Sequence, residues 1–136
     1  MGTVAHVEFT FSDDVEAFSF TTDNSGHTDQ VGLIIAKTIY NSDIVNFLRL
    51  STNVLAKVSS SLPKRTAVVP DVIKNEESYK DSVNYFYKIK ATDKYEDWGT
   101  QVRDAILIII TKKSGEVVFK GYSEELLTRL ENGETL

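Results

Sequence analysis

The feature that most constrains the fold is an unbroken apolar run near the C-terminus, residues 106–110. The run is too short to span a membrane and is rich in isoleucine, so it predicts a strand buried on both faces. Ser114-Gly115 follows, where glycine can adopt a positive φ, and a second apolar segment begins at Val117. We therefore predict a β-hairpin over residues 105–122. Because an isolated hairpin is marginally stable in water, other strands and helices must cover it.

The composition is that of an ordinary globular domain. The chain has 136 residues, 41% of them hydrophobic and 26% charged, which predicts a single domain with its own core over residues 1–136. A formal net charge of -5 argues against nucleic acid as a partner, since nucleic-acid-binding proteins usually carry a basic excess. The lack of cysteine excludes disulfides and thiolate chemistry.

Targeting signals are not evident in the sequence. The first residues enter strand-like alternation directly, without the basic and apolar regions of a secretory signal, and no run of 18 apolar residues follows. We therefore expect a cytoplasmic protein that does not act at a membrane.

Three further segments alternate in the manner of half-buried strands. Residues 4–11 and 15–22 flank a short polar turn and predict an N-terminal hairpin, in which simple alternation places Glu16 on the same face as Phe18 and Phe20. Residues 83–91 predict another strand, with Tyr85, Tyr87 and Ile89 on one face and Phe86, Lys88 and Lys90 on the other.

The helical pattern is clearest in the middle and at the end of the chain. Residues 31–40 favour a helix, although their β-branched content and Gly32 would also suit a strand. A polar break at 41–43 precedes a second helix from Ile44 to Val58, and Pro63 ends it. Residues 64–81 then predict a long surface connection. A last helix should have Ser123 as its N-cap and stop at Gly133.

This order of elements, β-β-α-(α)-β-β-β-α, predicts an α+β domain with a mainly antiparallel five-stranded sheet covered by helices. The order is similar to that of profilin-like and longin-like domains. The similarity is one of topology only, because no motif of either family is matched, and it implies nothing about function.

Basic and aromatic residues supply the candidate binding surface. Lysines on the exposed strand face around Phe86 could hold a phosphate-bearing ligand, and a tryptophan beside an arginine is typical of binding hot spots. The candidate ligand or partner contacts are Lys64, Arg65, Phe86, Lys88, Lys90, Tyr95, Trp98 and Arg103.

Catalytic and metal-binding patterns are not legible. His6 and His27 are isolated in the sequence, with no second histidine or cysteine at ligand spacing, and we expect both to be solvated surface side chains. No phosphate-binding glycine motif or nucleophile elbow is present. We therefore predict no cofactor and no metal. A hydrolase that uses His27 or the carboxylates at 93–97 remains a third alternative.

The function that this pattern favours is non-catalytic binding or assembly, through self-association or a protein partner. The basis is a surplus of apolar side chains on an expected exposed edge, which is typical of an interface. Those side chains are Phe18, Phe20, Tyr79, Tyr85, Phe86 and Tyr87. The alternative is a small-molecule or nucleotide-binding protein, with a pocket between the sheet and residues 59–81 that Arg65, Trp98 and Arg103 would line.

Overall fold

A computed structural model describes residues 2–64, 66–70, 82–96 and 100–136, which form an α+β fold as predicted. The strands are β1 Ala5–Thr10, β2 Glu16–Thr22, β3 Val68–Pro70, β4 Tyr85–Ala91, β5 Ile106–Lys112 and β6 Val117–Tyr122. The helices are α1 Leu33–Tyr40, α2 Phe47–Ser61, α3 Val102–Ala105 and α4 Ser123–Glu131. A π-helical turn, Thr28–Gly32, precedes α1, and a 3-10 turn, Asp93–Glu96, follows β4. None of the helices in these ranges has the length and apolar character needed to cross a bilayer.

The sheet has six strands in the order β3-β2-β1-β4-β5-β6. Four of its pairings are antiparallel, but β1 and β4 run parallel, from Ala5 opposite Tyr85 to Thr10 opposite Lys90. The predicted five-stranded antiparallel sheet is therefore wrong. After β2 the chain forms α1 and α2 and then β3, which pairs with β2 at the edge of the sheet, and β4 runs in the direction of β1. The missed strand, β3, is three residues long, too short to show alternation.

The two central helices form for the reasons visible in the sequence. Residues 33–40 are helical, as favoured, and Ile35 and Ile39 are buried on one side of α1. The predicted break follows, but α2 begins at Phe47 instead of Ile44. The side chain of Asn46 accepts a hydrogen bond from the Arg49 N–H at 3.0 Å and caps the helix. Gly133, with φ 82, follows the end of α4 as predicted, but the N-cap residue is Tyr122 and Ser123 is the first helical residue, so the predicted cap is wrong.

The hydrophobic core lies on one face of the sheet. Ile106, Ile108 and Ile110 are buried there against side chains from α1, α2 and α4. Leu107 and Ile109 point to the opposite face and are only partly buried. The predicted burial of this strand on both faces is thus wrong, because the four described helices cover one side of the sheet.

A β-bulge changes the face of one charged residue. The β1–β2 register shifts between Phe9 and Thr10, so Thr10 pairs with Glu16 and Ala17 is the extra residue. The bulge moves Glu16 away from Phe18, which packs against the core, and onto the opposite face. Simple alternation predicted that Glu16 would share the face of Phe18. The bulge avoids placing a carboxylate in an apolar core, where burial would be costly.

Two neighbouring isoleucines provide a test of the one-sided core. Ile108→Ala should lower the free energy of unfolding by about 2–5 kcal/mol, because it leaves a cavity in a fully buried site. Ile109→Ala should cost clearly less, because its side chain lies outside that core. Urea unfolding of both variants at the same protein concentration measures the difference, and equal losses would contradict a core on one face.

Candidate functional site

The sheet face opposite the described helices, which we name the outer face, collects most of the polar side chains that the strands contribute. Its rows follow from the strand registers, because residues that are paired across neighbouring strands lie on the same face of the sheet. It comprises His6, Glu8, Thr10, Glu16, Ser19, Thr21, Val69, Phe86, Lys88, Lys90, Leu107, Ile109, Thr111, Val117, Lys120 and Tyr122.

Three potential metal ligands meet on this face. One ligand atom each from His6, Glu8 and Glu16 lies within 4.8 Å of the others, and all three residues are partly buried. We call this group the His-Glu cluster. The His6 Nδ1 lies 3.3 Å from the Thr21 hydroxyl, and the ring makes an edge contact with Phe86 at 6.3 Å between centroids. These two contacts on either side fix the orientation of the imidazole.

Two buried hydroxyl groups lie beside the cluster. Ser19 pairs with Glu8 and Thr10 pairs with Glu16, and the two residues are only 2% and 1% exposed. Neither hydroxyl oxygen has a hydrogen-bond partner within the described ranges. Because a buried hydroxyl without a partner is destabilising, each such group needs an explanation. This part of the outer face therefore combines converging ligands with unmet hydrogen-bonding capacity.

A carboxylate at the hairpin turn holds the two lysines of β4. Lys90 donates a hydrogen bond of 2.8 Å to Asp14, and the Lys88 ammonium lies 3.5 Å from the same oxygen. The hydrogen bond and charge of Lys90 lower the pKa of Asp14 below its ordinary value of 3.8. Lys88 is the lateral neighbour of Glu8 in the β1–β4 pairing, and Asp14 attracts its charge.

The predicted binding residues are only partly brought together. Phe86, Lys88 and Lys90 share the outer face of β4, as alternation predicted. Lys64 is exposed just after the end of α2. Arg103 lies in α3, with its guanidinium 4.9 Å from the centroid of the Tyr40 ring of α1, on the helix side of the sheet.

Tyr95 is part of the core. Its hydroxyl donates a hydrogen bond of 2.6 Å to the Ile44 carbonyl oxygen, and its ring contacts Phe47. Arg65, Tyr79 and Trp98 lie outside the described residues, as does Asp97. The predicted pocket that depends on Arg65 and Trp98 therefore stays a prediction.

The predicted apolar patch has a different composition in the structure. The rings of Phe18 and Phe20 pack with Phe9 on the core side. Tyr87 is buried, and its hydroxyl donates a hydrogen bond of 2.7 Å to the Gly26 carbonyl oxygen. Of the six aromatics proposed from the sequence, Phe86 is the one that the described strands place on the outer face.

The His-Glu cluster escaped the sequence prediction, which treated His6 as a solvated side chain. The spacing of His6 and Glu8 does place both on one strand face. The third member was missed because alternation alone put Glu16 on the other face, and the bulge cannot be read from the sequence. His27 is likewise engaged, since its Nε2 lies 2.7 Å from the Thr3 hydroxyl.

Comparisons with protein-family models, curated protein sequences and solved structures find no match for this chain. The similarity in element order to profilin-like and longin-like domains gains no support from them. Proposals about function therefore depend on the geometry of the chain itself.

The core position of Tyr95 predicts a specific response to alkali. Burial raises the pKa of Tyr95 to about 12, whereas an unfolded tyrosine ionises at about pH 10. The stability contributed by the neutral phenol is complete below about pH 10 and is lost as the pH rises toward 12. Tyr95→Phe should therefore lose less stability than the wild type between about pH 9 and pH 11, measured by urea unfolding.

Tyr40→Phe, which removes a partly exposed phenol at the end of α1, is the matched control for this experiment. Its unfolding free energy should follow the wild type over the same pH interval. An identical pH dependence in the two variants would contradict the core assignment of Tyr95.

Proposed function

We propose that the protein is a non-catalytic assembly protein that pairs with a second copy of itself through β6. The observation that carries this proposal is the character of β6, a six-residue strand at the end of the sheet. Its Val117 and Tyr122 side chains are 55% and 37% exposed. An edge strand presents a row of backbone N–H and C=O groups that can pair with another strand.

The two edges of the sheet are not equivalent. The opposite edge, β3, has three residues and ends in Pro70, which has no N–H to donate. Short edge strands and proline are common means of preventing edge-to-edge pairing. β6 contains no proline and carries one lysine, Lys120, with a register shift near Ile110. The longer and less protected edge is therefore the one at β6.

Apolar side chains continue from the edge into the sheet. Leu107 pairs with Tyr122, and Ile109 pairs with Lys120, so two further apolar residues adjoin β6 on the outer face. Neighbouring apolar side chains on a sheet edge are typical of a protein interface.

A second copy of the chain is the partner that this edge fits. Two β6 strands related by a two-fold axis run antiparallel and can exchange backbone hydrogen bonds, each being the complement of the other. The same contact brings the apolar residues of both edges together. Self-pairing also needs no other component.

Sedimentation velocity at micromolar concentration tests this proposal. The wild type should sediment at twice the chain mass of 15.3 kDa. Val117→Lys should shift it to the monomer, because a charge enters the contact on both copies. The matched control is Val69→Lys, which changes a valine of nearly equal exposure, 56%, on the opposite edge, and it should remain dimeric.

Two results would count against the proposal. A wild type that stays monomeric across the micromolar range would rule out self-association as the function. Dissociation of Val69→Lys together with an intact Val117→Lys dimer would place the contact at the wrong edge.

A second candidate is the binding of a phosphate-bearing small molecule. A cavity of about 560 Å³ lies between α1 and α2, and the side chains that line it include Lys37, Asn41, Asn53 and Lys57. Ammonium and amide groups supply the hydrogen-bond donors that phosphate oxygens accept. This cavity differs from the pocket expected beside residues 59–81.

Thermal unfolding in the presence of ATP, and separately of inorganic phosphate, tests this second candidate. A ligand that binds the folded chain should raise the melting temperature in a concentration-dependent manner. Changing Lys37 and Lys57 together to alanine should abolish the shift, while Lys94→Ala in the 3-10 turn should not. No shift with either compound would exclude both as ligands and remove the support for this candidate.

A further inference from the structure

We propose that the His-Glu cluster binds a divalent transition-metal ion, with Zn²⁺ as the ion that its donors fit best. His6 offers an imidazole nitrogen, and Glu8 and Glu16 each offer a carboxylate oxygen, all within 4.8 Å of one another. Ligand atoms around a tetrahedral zinc ion lie roughly 3.3 Å apart, given metal–ligand distances of about 2.0–2.1 Å. Small rotations of these three partly buried side chains would bring their ligand atoms to the separation that zinc requires.

The donor set selects the class of metal. An imidazole together with carboxylates suits zinc and its first-row neighbours, whereas Mg²⁺ and Ca²⁺ prefer sites made entirely of oxygen. Two carboxylates held side by side also repel each other, and a cation between them relieves that repulsion. Three protein ligands leave a fourth tetrahedral position for water.

The two buried hydroxyls are the second and independent observation. Ser19 and Thr10 lie opposite the two glutamates on the same face, and neither hydroxyl oxygen has a partner in the described part of the chain. Around a bound ion they can donate to ligand carboxylates or to metal-bound water. Such outer contacts usually orient the ligands of metal sites. The contact of Thr21 with the His6 Nδ1 has the same character.

The charges around the cluster permit a cation. Lys88 adjoins Glu8 and would oppose metal binding if its ammonium lay on that carboxylate. Asp14 draws the ammonium groups of Lys88 and Lys90 toward the hairpin turn, at 3.5 and 2.8 Å. One carboxylate outside the cluster thereby offsets part of the positive charge of these two lysines.

Titration of the full chain with zinc chloride in a magnesium-containing buffer, followed by calorimetry, tests the proposal. One Zn²⁺ should bind per chain. Glu8→Gln and Glu16→Gln keep the side-chain shape and should each weaken binding by roughly tenfold or more. Glu124→Gln, an exposed acid in the first turn of α4, is the control and should leave the affinity unchanged.

Imidazole NMR signals locate the site, because the chain has two histidines. Zn²⁺ should shift the ring signals of His6 and leave those of His27 in place. Ser19→Ala should weaken zinc binding by roughly tenfold, whereas the melting temperature of the metal-free protein should not fall, because the deleted hydroxyl has no partner to lose. If Ser19 only stabilised the fold, its replacement would lower the melting temperature of the metal-free protein and leave the zinc affinity unchanged.

Several outcomes would overturn the proposal. They are the absence of saturable zinc binding, unchanged affinity in both glutamine variants, or shifts confined to His27. A His6 ring that stays doubly protonated at neutral pH and does not respond to zinc would show that a proton neutralises the glutamates instead. The Val117→Lys variant should still bind zinc, which separates this test from the proposal of self-association.

Discussion

β1 and β4 pair in parallel through six residues, and this ladder joins the N-terminal hairpin to the last three strands of the sheet. Parallel neighbours cannot be joined by a tight turn, and the chain between β1 and β4 forms β2, α1, α2 and β3. The same pairing sets Val7 beside Tyr87 in the core and Glu8 beside Lys88 on the outer face. The one-sided core and the chemistry of the other face both depend on it.

The outer face divides into three strips that follow the strands. β1 and β2 contribute the His-Glu cluster and its buried hydroxyls, β4 contributes two lysines held by Asp14, and β5 and β6 contribute mainly apolar side chains. The strips have different chemistry because the strands differ in the side chains that they present on this face, and the registers align those side chains in rows. A polar cluster and a mainly apolar strip therefore lie on one sheet face without overlapping.

Local patterns predicted most of the elements, and long-range contacts account for the errors. The central hairpin and the stop of the last helix at Gly133 follow from short-range spacing and glycine, and the structure confirms both; the helix predicted over 31–40 is present from Leu33. The parallel ladder could not be predicted, because it joins residues 80 positions apart, from Ala5 to Tyr85. Nor could β3, which is held by pairing with β2 instead of by its own pattern.

In the candidate site, too, local patterns predicted some features and failed for others. Alternation correctly placed Phe86, Lys88 and Lys90 on one face. It failed for Glu16, because one extra residue in β2 reverses the face of everything before it. Composition could not reveal that Tyr95 completes the core, since an aromatic residue in a loop suits a binding site equally well. The hydrogen bond from the Tyr95 hydroxyl to the Ile44 carbonyl oxygen identifies the residue as part of the core.

The inequality of the two sheet edges limits how far assembly can proceed. Fibrous aggregates grow when each added molecule presents another unpaired edge strand with which the next molecule can pair. Among the described residues, β3 has three residues and ends in proline, so a chain paired through β6 would offer no second long edge from that part of the sheet. Growth by strand addition would end at a closed pair, and the short edge would protect the protein from open-ended polymerisation.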